Sequence, residues 1–128
     1  GMARRSYEYF AELTKKYPDS KYASDATQRM IYLRNLLAQH DSDIAAYYLR
    51  RGVHIAAINR AKFVLERFAR TPAVADALVI MAHAYHELDL DDLARDSFRV
   101  LELNFPADKR VGEIKVLLAQ VKVSAATP

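Results

Sequence analysis

The sequence predicts an all-α fold, a superhelix of antiparallel helix pairs. Three observations lead there. The 128 residues include only three glycines and four prolines, which leaves little turn chemistry. No stretch alternates apolar and polar residues with the period of a strand. Apolar residues instead return every three or four positions, among good helix formers, in seven segments joined by short connections. Short connections make successive helices antiparallel neighbours.

The first helix spans about 4–17, with Tyr7, Phe10, Leu13 and Tyr17 on one face; Pro18 ends it before a turn at Asp19 and Ser20. A long helix over about 22–39 carries Ala26, Met30, Leu33 and Leu37 as its apolar stripe. A third over about 42–51 takes Asp41 or Ser42 as its N-cap and Gly52 just past its end, where positive φ is easiest. The fourth covers about 53–69, the fifth 73–88 and the sixth 91–104. Asp108 caps a last helix that reaches Lys122, with Val111, Ile114, Leu118 and Val121 on one side. Gly1-Met2 reads as the remnant of a cleaved purification tag, residues 3–122 as one repeat domain of a longer protein, and 123–128 as a flexible tail.

Hydrophobic residues make up 52% and charged residues 27%, an ordinary balance for a globular chain. No apolar run approaches the roughly 18 residues that span a bilayer, and the first residues do not read as a signal peptide. The absence of cysteine excludes disulfides, thiolate metal sites and cysteine nucleophiles. A net charge of +3 is too small to argue for a nucleic-acid partner. Its distribution says more. Residues 50–70 hold six Lys/Arg against one Glu, whereas residues 76–96 hold six Asp/Glu against one Arg. Blocks of opposite sign mark two different surfaces, or a pairing along the chain.

Stacked helix pairs leave a period in the sequence, and one is present. Met81, Ala82, Tyr85, Ala94, Phe98, Leu101 and Pro106 repeat the spacing of Ile44, Ala45, Tyr48, Ala57, Ala61, Val64 and Ala69, 37 residues earlier. Ser6, Phe10, Leu13 and Pro18 fit the second half of the series. Small residues let two helix backbones approach, a large ring fills the gap to the next pair, and proline forces the turn. The pattern resembles the tetratricopeptide repeat. It departs from that family between Pro18 and Ala69, an interval of 51 residues where the repeat has about 34. The departure suggests an additional helix, 22–39, wedged into the stack.

The order of elements is further similar to the C-terminal half of the BamD family of tetratricopeptide lipoproteins, over about residues 6–105. The likeness rests on YFAELTKKYPDSKYASDATQRMIYLRNLLAQHD, IAAYYLRRGVHIAAINRAKFVLERF and DALVIMAHAYHELDLDDLA. It implies a non-enzymatic interaction scaffold of the β-barrel assembly machinery, without a cofactor, at the periplasmic face of the bacterial outer membrane. It also implies docking on the POTRA domains of BamA, with other Bam lipoproteins as further partners. Membrane attachment would run through a lipidated N-terminal cysteine, which this sequence does not contain.

The docking residues are sought in the basic block. On a helical wheel Ala57, Ile58, Ala61, Val64, Leu65 and Phe68 form a core stripe, while Arg60 and Arg67 lie just beyond its edge, with Phe63, Asn59 and Arg70 on their far side. An aromatic ring flanked by guanidiniums is the usual composition of an interface hot spot. Arg60, in the AAINR segment, is the first candidate for the BamA contact, with Asn59, Phe63 and Arg67 beside it. Arg50 and Arg51 come second, because cations suit a helix C-terminus without any partner. The competing expectation is that Phe63 packs inside the solenoid and that the arginines pair with the acidic block at 87–96.

Other chemistry is thin. His83, His86 and Glu87 lie within about one helical turn, so a metal-dependent enzyme is one alternative, but no third ligand has convincing spacing. Another periplasmic tetratricopeptide adaptor, for the cell envelope or division, is the second. Asp89, Asp91 and Asp92 lack the glycine and downstream glutamate of a calcium loop and read as a polar turn and helix start.

Overall fold

The computed structural model describes residues 1–16 and 21–125, and among them every regular element is helical. The order is α1 (Met2–Lys16), α2 (Lys21–Arg50), α3 (His54–Arg67), α4 (Ala73–Glu87), α5 (Asp91–Asn104) and α6 (Arg110–Ala125). Tyr17, Pro18 and the turn at Asp19 and Ser20 lie outside the described residues, as do residues 126–128. None of the described helices is long and apolar enough to cross a membrane.

One expectation is corrected. The helices expected at 22–39 and 42–51 are a single helix, α2, of 30 residues and about 45 Å. Asp41 and Ser42 cap nothing; they lie inside α2 and are 8% and 2% exposed. The physical reason is the unbroken phase of the buried stripe. Ala38, Asp41, Ser42 and Ala45 follow one another at helical spacing, so the two halves share one face. Aspartate and serine inside a helix cost only a few tenths of a kcal/mol each, and neither glycine nor proline interrupts the run. No extra helix is therefore wedged into the stack; the first helix of a repeat is lengthened at its N-terminal end.

The 37-residue repeat extends to the backbone. At the end of α2, Gly52 N–H donates to Leu49 O at 3.1 Å and Val53 N–H to Tyr48 O at 2.9 Å. At the end of α4, Asp89 N–H donates to His86 O at 3.0 Å and Leu90 N–H to Tyr85 O at 2.9 Å. Both are Schellman closures, with Gly52 at φ 77° and Asp89 at φ 60° in the left-handed position. The next helices start alike, Ala57 N–H to Val53 O and Ala94 N–H to Leu90 O, both at 3.0 Å. They end alike too, Phe68 N–H to Val64 O at 2.9 Å and Phe105 N–H to Leu101 O at 2.7 Å.

Packing follows the small residues. Ala45, Ala57, Ala61, Ala82 and Ala94 are fully buried at the helix crossings. Tyr85 is buried, and Tyr48 and Phe98 pack half-buried against the same core. Each helix contacts the next, and α4 also contacts α2 and α6, whereas among the described residues α1, α3 and α5 do not contact one another. The inner layer is thus α2, α4 and α6, with α1, α3 and α5 outside it. With neighbours on every side, α4 buries most of its length, from Ala73 to Tyr85.

Candidate partner-docking site

The basic face of α3 meets α2 in two hollows separated by one ring. The first, about 340 Å³, is lined by Tyr48 from α2 and by Ala56, Asn59, Arg60 and Phe63 from α3. It exists because Ala56 leaves room on the exposed edge of α3 while Tyr48, a wedge of the repeat, forms the opposite wall. Arg60 Nη1 lies 3.3 Å from Asp41 Oδ1; the arginine side chain is 40% exposed and the aspartate 11%. The residue expected as a helix cap is thus the counter-ion of the first candidate arginine. The acidic block does not pair with it. Asp92 and Asp96 bind Arg95 and Arg99 on their own helix, and Asp91 faces His86.

Phe63 is only partly on the exposed face. Its ring packs against the core and meets Phe68 edge-on, with centroids 6.1 Å apart. Of the two expectations for Phe63, packing inside the solenoid holds in part: the ring is half-buried, with Phe68 at the end of α3 beside it. Arg67 stays with it, its guanidinium carbon 5.5 Å from the Phe63 centroid. Asn59, Arg60 and Phe63 therefore share the first hollow, and Arg67 joins them from the other side of the ring. Arg50 and Arg51 do not line it. They stand at the end of α2, where the Arg51 guanidinium lies 5.6 Å from the Tyr47 ring centroid.

Sequence reasoning missed Arg34. Its Nη1 donates to Ala69 O at 2.7 Å and its Nη2 to Arg67 O at 3.4 Å, which places a cation on the carbonyl end of α3. The contact joins residues 35 positions apart, and no local signal announces it. A second unforeseen cluster ties the inner layer. Arg110 reaches Asp76 of α4 at 2.7 Å, and Gln39 of α2 donates to the same carboxylate at 3.3 Å. Asp108 caps α6 as expected, accepting Arg110 N–H at 2.9 Å, and it also takes the Arg110 Nε and Nη2. The bound Arg110 guanidinium holds the Asp108 carboxyl down at about 2, and Asp108 in turn raises Arg110 further above its ordinary value.

Among the described residues no three His, Asp or Glu side chains are grouped to hold a metal ion. His86 Nδ1 is 3.5 Å from Asp91 Oδ1, so it serves the turn between α4 and α5. Burial lowers the pKa of His83, and the neighbouring His86 adds to that.

Several known proteins are similar to this chain in sequence. The family described as outer membrane lipoprotein, YfiO, matches residues 1–101. The outer membrane protein assembly factor BamD of Neisseria gonorrhoeae is 47% identical over 103 residues, covering 80% of this chain and 39% of that protein. The factor of the same name from Xylella fastidiosa is 38% identical, covering 80% of this chain and 35% of its own length. That from Vibrio cholerae is 38% identical, covering 79% and 42%. The chain thus spans about two fifths of the length of these relatives. Their names are those of assembly factors, which agrees with the expectation of a non-enzymatic protein. With the family matched over most of its helices, the chain belongs to the YfiO outer membrane lipoproteins.

Proposed function

We propose that this chain is a docking segment of an outer membrane protein assembly factor. It works at the periplasmic face of the outer membrane, and the hollow between α2 and α3 receives a POTRA domain of BamA. The carrying observation is the state of Arg60. Its guanidinium is half-exposed and held by one contact of 3.3 Å, so most of its N–H groups are unspent, beside an aromatic wall of Phe63 and Tyr48. A partner carboxylate there would meet a planar fork with fixed orientation. The flanking rings supply the apolar contact that interface centres favour. Arg67 extends the same surface beyond Phe63, and Arg50 and Arg51 extend it towards the end of α2.

The test uses a soluble BamA POTRA fragment and isothermal calorimetry. Asn59 is exposed on the rim of the hollow, so Asn59→Glu adds a repelling charge without touching the core. Its dissociation constant should rise about tenfold, the effect of one disrupted hot-spot contact. Lys62→Glu, exposed on the same helix but outside the hollow, should change it far less. Equal losses would reduce the contact to general electrostatics, and unchanged binding of Asn59→Glu would remove the site.

A further inference from the structure

The second hollow, about 200 Å³, lies where α1, α2 and the end of α3 converge, and three arginines line it: Arg4, Arg34 and Arg67. Its apolar walls are Tyr7, Leu37 and Phe68. We infer that this pocket is a binding site for a side-chain carboxylate presented by an acidic segment of a partner polypeptide. The inference does not rest on the BamA reading.

Three observations carry it. First, the cations are oriented without being neutralised. Arg34 is pinned by the carbonyl oxygens of Ala69 and Arg67, and Arg67 lies against the face of Phe63. Neither of these guanidiniums, nor that of Arg4, has a carboxylate in ion-pair contact among the described residues. A carbonyl or a ring fixes geometry but leaves the positive charge available. Second, the pocket is small. Its volume falls below the roughly 300 Å³ at which sites for drug-sized ligands begin, so it fits one short side chain. The apolar walls suit a methylene stem, with the rim arginines meeting its charged end. Third, Glu8 also lines the wall. One carboxylate among three arginines leaves a formal excess of two positive charges, so the pocket attracts an anion even with Glu8 in its wall.

The experiment is a titration of the chain followed by amide and arginine Nε–H signals in nitrogen-15 NMR. The probes are N-acetylglutamic acid α-amide, its neutral isostere N-acetylglutamine amide, and inorganic phosphate. The acid should give saturable shifts at Tyr7, Leu37, Phe68 and the Arg67 Nε–H, and the isostere none. Arg67→Gln and Arg4→Gln alter exposed side chains and should each weaken the response roughly tenfold, the loss of one charge-assisted hydrogen bond. Arg60→Gln should leave it unchanged, which separates this pocket from the first hollow. The inference is overturned if the acid and its isostere act alike, or if Arg67→Gln binds as the parent does. It is equally overturned if phosphate binds more tightly than the acid, which would assign the pocket to phosphate groups such as lipid headgroups. Loss of the response in Arg60→Gln would merge the two hollows and remove the claim of a second site.

Discussion

Replacing Arg60 by glutamine should measurably destabilise the chain, although the residue sits at its surface. Arg60 is paired with Asp41 at 3.3 Å, and the two side chains are unequal, 40% and 11% exposed. An ion pair with so open a partner contributes only about 0.2–1 kcal/mol, since solvent screens it. Leaving the enclosed carboxylate without its donor adds about 1 kcal/mol or more. The expected loss is therefore about 1–2 kcal/mol. A chain of 128 residues unfolds with an entropy that makes 1 kcal/mol worth about 4 °C, so the midpoint should fall by about 4–8 °C in a far-UV circular dichroism melt. Arg60→Glu should fall further, because it sets two carboxylates against each other inside α2 and α3. Asp41→Asn combined with Arg60→Gln should recover part of the loss, and the cycle isolates the pair. A melting temperature for Arg60→Gln within about 1 °C of the parent would refute the reasoning. A charge reversal at Arg60 thus mixes stability with docking, whereas Asn59→Glu reads docking alone.

Four further outcomes are open to measurement. Gly52→Ala should cost about 1 kcal/mol in a chemical unfolding titration, because Gly52 sits at φ 77° and the Schellman closure needs that conformation. Asp89→Gly, at φ 60° in the equivalent position, should stabilise by up to about 1 kcal/mol in the same assay. Ala57→Leu should destabilise by about 1–3 kcal/mol, since its site is fully enclosed. Asp108 is held from 3.8 down to about 2, so its ionised form adds stability above the upper value that disappears as pH falls through the lower one. Melting temperatures of the parent and Asp108→Asn should accordingly differ at neutral pH and converge as pH falls from 3.8 to about 2.

What the sequence makes legible is local. The repeat spacing, the left-handed glycine after Arg51 and the aspartate before α6 each depend on a few neighbouring residues, and each stands in the structure as expected. The continuity of α2 was illegible because Asp41 and Ser42 are good caps in isolation. Only the arrival of Arg60, 19 residues on, gives Asp41 a partner inside a helix. Charge blocks misled for a related reason. They suggest a pairing of α3 with the acidic segment, yet aspartates 92 and 96 find arginines three residues away on their own helix. The candidate residues Asn59, Arg60 and Phe63 do come together, since helical spacing alone puts them on one edge of α3.

The length of α2 accounts for the second hollow. In the 37-residue register, Leu36 is the counterpart of Ala73, where α4 begins, so residues 21–35 of α2 have no equivalent in α4. That overhang reaches past the end of α3 and supplies Arg34 to its final carbonyls. The register counterpart of Arg34 is Thr71, which precedes α4 and turns its hydroxyl back onto Phe68 O at 2.7 Å. No cation can reach the carbonyl end of α5 from that position. Two nearly identical helix pairs therefore differ at one end, and the difference places uncompensated positive charge beside α1. A chain with helices of regular repeat length would keep the first hollow, which belongs to Tyr48 and α3, and lose the second.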